Sequence, residues 1–242
     1  EREGAFFLPH LRSGMRLLDV GCGPGSITLG LAETVEPGAV VGLDFQELQI
    51  RQAQYLADAH GITNLHFQVG DAYQLPFPDG SFDAVFAHAV LWHLREPVKA
   101  LTEMRRVLRS HGVVGIRDCD WGGRIYAPST PLLDQWWAHT VKIREHNGGN
   151  PFLGRHLRRL LREAGFERVT AAASTWTAGT REEVASCATF LKAQLGGFAS
   201  TAVSEGLIDR AGIERVAAEI DAWAKSDDAF YVDTYCEAVG FC

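Results

Sequence analysis

The sequence predicts an α/β fold: a doubly wound, mostly parallel sheet with crossover helices. Three observations predict it. Short apolar runs alternate with segments of helical period from residue 16 onward, the pattern of a parallel sheet with helices between its strands. The first apolar run passes straight into a turn with glycine at positions 21, 23 and 25. The second run ends on a lone carboxylate, Asp44.

Taken in order, residues 16–20 form a short buried strand and 27–35 a helix stopped by Pro37 and Gly38. Residues 40–44 are the second strand, and 47–60 a helix that Gly61 closes from the C′ position. Residues 65–69 are the third strand. A loop covers 74–81, where Pro76, Pro78 and Asp79-Gly80 supply turn chemistry. Then come a strand at 82–87, a helix at 97–108 and a strand at 112–117. Beyond Asp118 the rhythm changes. A loop carrying Trp121, Gly122, Gly123 and Pro128 leads to a helix at 132–146, and a basic helix follows at 153–164. Residues 167–177 are strand six, helices are expected at 182–195 and 204–223, and 230–239 is a closing strand rich in β-branched and aromatic residues.

The 242-residue length suits a single α/β domain with insertions, and 46% hydrophobic content provides a core without disulfides or metals. A formal net charge of -7 argues against binding nucleic acid through electrostatics. The basic run at 155–162 puts Arg155, Arg158, Arg159 and Arg162 opposite Leu157, Leu160 and Leu161, which is a solvated helix face. Five cysteines without a C-x-x-C pair indicate neither a zinc site nor a disulfide framework, and no metal is expected. They fit a reducing cytoplasm. No apolar run is long enough to span a membrane. The N-terminal residues lack the pattern of a signal peptide, although the chain starts at Glu1 rather than Met.

The segment from Leu17 to Ser26 is the most informative. Glycines without Cβ atoms let a backbone adopt positive φ and let a ligand come close. The helix that follows offers free N–H groups to an anionic or carboxylate group. The dinucleotide fingerprint G-x-G-x-x-G needs its third glycine at position 26, which is Ser26. The turn is instead G-x-G-x-G, with Asp19 two residues ahead. Asp44, ending the second strand, is placed to accept both hydroxyls of a ribose.

At this turn the chain resembles the class I S-adenosylmethionine (SAM)-dependent methyltransferases, whose first motif is similar to Leu18-Asp19-Val20-Gly21-Cys22-Gly23-Pro24-Gly25. The resemblance extends over residues 15–118 and looks closest to the small-molecule branch that includes quinone-biosynthesis methyltransferases. It implies a seven-stranded Rossmann-like sheet in one domain over 1–242. Residues 15–118 would be the cofactor core, and 119–150 and 181–226 helical insertions over the substrate side. SAM is the implied cofactor. Asp19, Gly21, Cys22, Gly23 and Gly25 would hold its methionyl part, Asp44 its ribose, and Phe45, Gly70, Asp71 and Ala72 its adenine. Ala87 and His88 would stand at the mouth of the cleft, His88 beside the methyl group. Asp83, in the family-like run Pro76-Phe77-Pro78-Asp79-Gly80-Ser81-Phe82-Asp83, and His93 take structural roles. Residues 107–113 resemble the turn before strand five, with Ser110-His111 where the family usually has Pro-Gly.

The expected reaction is methyl transfer to a small, apolar or aromatic acceptor. Candidate bases are His88, Asp118, Asp120 and His146, with histidine favoured for its near-neutral pKa. Trp121, Tyr126 and Trp137, in the aromatic cluster after strand five, are candidate acceptor contacts. Two alternatives stay open: a SAM-binding protein of this fold with a non-methylating or regulatory role, and an NAD-dependent oxidoreductase.

Overall fold

The computed structural model describes residues 2–242. In chain order its first elements are β1 (Leu17–Val20), α1 (Ser26–Val35), β2 (Val40–Asp44), α2 (Glu47–His60), β3 (Leu65–Val69), β4 (Phe82–His88), α3 (Pro97–Val107) and β5 (Leu108–Cys119). They continue with β6 (Ile125–Ala127), α4 (Pro131–His146), α5 (Leu157–Glu163), β7 (Glu167–Ala178), α6 (Arg181–Ser204), α7 (Arg210–Trp223) and β8 (Phe230–Phe241). The chain divides into two compact units, one of Glu1–Asp118, Leu153–Ala173 and Cys236–Cys242, the other of Cys119–Phe152 and Ser174–Tyr235.

The first unit holds the sheet in the order β3-β2-β1-β4-β5-β8, with β7 on β8. Parallel pairing sets Leu17 beside Val40 and Ala84, Asp44 beside Val69, and His88 beside Arg117. The carboxyl ends of β1 to β5 therefore lie along one edge. Strand order reverses between β1 and β4, and such a switch point is where open α/β sheets bind ligands. All four residues of β1 are buried, as a central parallel strand covered on both faces requires. In α3, Ala100, Leu101, Met104 and Val107 form the buried stripe of an amphipathic helix. Arg106 on its outer side ties down the loop at 74–81, donating to the carbonyls of Leu75 and Phe77 and to Asp79 and Glu103. Asp83 takes the structural role expected of it, accepting from the Arg16 amide at 2.8 Å and from Arg109 at 2.6 Å.

The N-terminal segment belongs to this core. Phe7 is fully buried and stacks on Phe86 with ring centres 5.7 Å apart. Gly115 makes room for it, since a Cβ there would come within 2.3 Å of the Phe7 ring.

The second unit packs α4, α6 and α7 with β6, which pairs antiparallel with β8 from Ile125↔Val232 to Ala127↔Phe230. Thr180 and Glu183 close a reciprocal capping box at the start of α6. In its interior the Arg124 guanidinium pairs with Asp233 at 2.8 Å, and Tyr231 donates to the same carboxylate at 3.0 Å.

Four expectations need correction. The sheet has an eighth, short strand, β6, where a loop was expected, because β8 offers the residues from Phe230 to Val232 for pairing. The helix expected at 182–195 continues to Ser204 through Gly196-Gly197, because Leu191, Leu195, Phe198 and Ala202 keep its buried face intact. The last long helix accordingly starts at Arg210, not residue 204. The basic helix is shorter than expected, a 3-10 turn Gly154–His156 followed by α5. His111, in the place of a glycine, takes φ +66. The five cysteines are free, and no helix among the described residues is long and apolar enough to cross a membrane.

Truncating Phe7 to Ala is expected to cost about 3–5 kcal/mol of stability, the range for deleting a buried phenyl group. Urea unfolding of the two proteins checks this, and equal midpoints would contradict the described packing of Phe7.

Candidate functional site

The site starts from the bend after β1. The Gly21 and Cys22 amides both donate to the Leu43 carbonyl, at 2.6 and 3.0 Å, and the Gly23 amide donates to Asp44 Oδ2 at 3.0 Å. Three successive amides of the bend are thus held by two successive residues of β2. Gly21 has φ +72, and a Cβ on it would lie 2.3 Å from a Val90 methyl. Both the conformation and the space demand glycine. Gly25, at φ +83, forms the N-cap of α1.

Two cavities flank this bend, and Gly21, Gly23 and Pro24 line both. The larger, about 580 Å³, has walls of Asp44, Phe45, Gly70, Asp71, Ala72 and Tyr73, with Val90, His93 and Leu94 facing them. Asp44 accepts from the Gln46 amide at 2.8 Å through Oδ1. Each of its oxygens carries a second lone pair, so the carboxylate can still receive hydroxyl donors. Phe45 is 79% exposed and presents its ring at the rim. The Asp71 carboxylate accepts from the Tyr73 amide at 2.8 Å, and a Cβ on Gly70 would press to 2.5 Å from Leu43. Tyr73 is held in turn, its hydroxyl accepting from the Glu96 amide at 3.1 Å with the Lys99 ammonium over its ring.

The smaller cavity, about 400 Å³, is lined by Glu3, Asp19, Cys22, Ile27, Phe86 and His88. Asp19 is buried and accepts from the Thr28 hydroxyl at 2.7 Å. Burial pushes its carboxyl up to about 7; the Thr28 hydrogen bond opposes this and the Asp44 charge adds to it. Burial also pushes the Cys22 thiol far up, which leaves it a small apolar wall and not a nucleophile. His88 is lowered to about 4, by burial first and then by the Arg117 charge, against the pull of Glu3 and a hydrogen bond to the Arg117 backbone. Its imidazole is neutral at physiological pH.

Among the expected cofactor residues, Gly21, Gly23, Asp44, Phe45, Gly70, Asp71 and Ala72 come together at the larger cavity, and Asp19, Cys22 and His88 at the smaller. Ala87 is buried within β4 and lines neither. Asp118 is fully buried, and its Oδ2 accepts from the Leu91 and Trp92 amides at 2.8 and 3.4 Å, holding the loop after β4. Asp120 accepts from the Gly122 amide at 3.0 Å inside a turn. His146 lies half exposed on α4, 3.6 Å from Glu205. Trp121 and Trp137 gather in the second unit, their rings 4.6 and 4.5 Å from the Arg124 guanidinium. Tyr126 packs edge-on against Trp137 and hydrogen-bonds to Asp134.

Sequence reasoning missed Glu3, Tyr73, Val90 and Leu94 as cavity residues. Tyr73 directly follows Gly70-Asp71-Ala72, so extending that motif by one position finds it. Glu3 carries no local signal.

Comparison with known proteins adds to this geometry. A family profile described as a methyltransferase domain matches residues 11–165. An uncharacterised methyltransferase of Schizosaccharomyces pombe is 37% identical over 180 residues, covering 71% of this chain and 64% of its own. Demethylmenaquinone methyltransferase of Geobacillus stearothermophilus is 39% identical over 105 residues, 43% of this chain and 45% of its own. The chain thus spans less than two thirds of these relatives' lengths. Among solved structures, the 4+2 cyclase SpnF superposes with a TM-score of 0.57 and 28% identity, over 93% of this chain and 75% of that one. With the family match covering more than half its length, and with the parallel sheet and glycine bend in place, the chain belongs to the methyltransferase-domain family.

Proposed function

We propose that this enzyme transfers a methyl group from SAM to a small acceptor of apolar or aromatic character. The observation that carries this reading is the glycine bend shared by two cavities, each lined by two carboxylates. The larger cavity fits a nucleoside. Asp44 receives the ribose hydroxyls, Phe45 and Tyr73 flank the base, and Asp71 with the Ala72 amide addresses its edge. The smaller cavity fits an amino-acid tail, with Asp19 facing its ammonium. When bound, SAM supplies an electrophilic methyl group on a sulfonium. The chain's own residues fix that group in place, exclude water and, for a hydroxyl acceptor, take up a proton.

Among the candidate bases, His88 is the one that lines a cavity at the bend, and its neutral ring adds no charge against a sulfonium. It is the proton acceptor proposed here on its position alone, since burial makes it a weaker base than the near-neutral histidine expected from the sequence; Asp118 is assigned to the loop it holds. Acceptor selection is assigned to segments 119–150 and 181–226, with Trp121, Tyr126 and Trp137 as contacts. Their support is the grouping of aromatic rings in the second unit. A second reading keeps the same cavities for a reaction without methyl transfer, and the likeness to a 4+2 cyclase favours it. Release of S-adenosylhomocysteine over a panel of phenols, quinones and amines distinguishes the two.

Asp44→Ala is expected to weaken SAM binding by about tenfold or more, the effect of losing a charge-assisted hydrogen bond; unchanged affinity by calorimetry would reject the ribose assignment. A cationic ligand favours the Asp19 carboxylate, whose free pKa is about 7. Binding below that value must therefore displace a proton, so affinity should climb between about pH 5.5 and 7.5 and flatten in Asp19→Asn. A flat wild-type profile would contradict the placement of Asp19. Replacing His88 with Ala should slow turnover of a hydroxyl acceptor more than it weakens SAM binding; equal turnover would remove it as the base.

A further inference from the structure

We propose that Glu3, on the N-terminal turn Arg2–Gly4, is a second carboxylate for the ammonium of the cofactor's amino-acid tail, a positioning and specificity residue outside the glycine bend and its motif. The inference rests on the reading of the two cavities given above. Three observations support it.

The first is placement. Glu3 lines the smaller cavity together with Asp19 and His88, on the tail side of the bend. The second is charge. Among the described residues the walls of this cavity hold two carboxyl groups and no lysine or arginine, and burial keeps its histidine neutral. Asp19 alone is a weak counter-ion there, because burial leaves it only partly ionised near neutral pH and one of its oxygens is engaged by Thr28. An ammonium brings three donors and is served better by two acceptors. Glu3 does reach this space electrostatically, since its charge opposes that of Arg117 at His88. Ser26, at the start of α1, lines the same cavity, so the tail's own carboxylate meets a favourable field beside the two acids.

The third observation is anchorage. The Phe7 amide donates to the Gly4 carbonyl at 2.8 Å, and Phe7 itself is locked against Phe86. Gly4 lies against Ile27 and Leu31 of α1, to which an added Cβ would come within 3.9 Å. The turn carrying Glu3 is therefore seated on the helix that the glycine bend opens.

The test is calorimetric titration of the wild-type chain, Glu3→Gln and Asp44→Ala with SAM, S-adenosylhomocysteine and 5′-methylthioadenosine. The last keeps the nucleoside and lacks the amino-acid tail. Glu3→Gln should lose about tenfold in affinity for the two tailed ligands, a charge-assisted hydrogen bond's worth, and keep its affinity for methylthioadenosine. Asp44→Ala should weaken all three. If Glu3→Gln binds SAM within about twofold of wild type, or loses methylthioadenosine equally, the assignment of Glu3 falls while the cavity reading stands. If the wild-type chain binds none of the three, the cavity reading falls and takes this assignment with it.

Discussion

The site depends on the way the end of β2 holds the bend that leaves β1. One carbonyl, that of Leu43, receives two amides, and the neighbouring Asp44 carboxylate receives a third. A chain turning out of a buried strand has amides that must be satisfied, and here they are satisfied within the fold and not by ligand or water. The bend is thereby set before anything binds. Its sharpness is possible because Gly21 and Gly23 sit at positive φ, and because the space a Gly21 side chain would take is filled by Val90. Parallel register does the rest. It lines up the ends of β1, β2, β3 and β4, and with them Asp19, Asp44, Gly70 and His88, along one edge of the sheet.

Burial divides the work among groups that sequence shows only as titratable letters. Asp19 and Cys22 lie two and one residues from glycines of the same bend and both are shifted upward, yet with different consequences. The carboxyl is poised near neutrality, whereas the thiol is held in its inert form. His88 moves the opposite way because desolvation penalises the charged form, which for imidazole is the protonated one.

Much of the fold was legible because its signals are local. The alternation of apolar runs located β1 to β4 within a residue or two, and Gly61 marked the end of α2 from its αL position. The larger cavity was legible for the same reason: Asp44-Phe45 and Gly70-Asp71-Ala72 directly follow strands whose register brings them together. What escaped depends on contacts through space. Asp118 is a candidate base in sequence, and only the fold shows two amides of a distant loop bonded to it. Gly196-Gly197 resembles a helix stop, yet α6 passes through because its buried stripe continues on either side. Glu3 lies far from every motif and reaches the bend because Phe7 fastens its segment to the sheet.

One strand, β8, supplies a carboxylate to a buried arginine in each of the two units. Glu237 of β8 pairs with the buried Arg117 at 3.3 Å in the first unit, and Asp233 of the same strand pairs with the buried Arg124 in the second. Until β8 emerges from the ribosome, two guanidinium groups destined for the interior lack these partners, and uncompensated charge is costly to bury. A premature stop before residue 233 would remove both of these carboxylates at once, one from each unit.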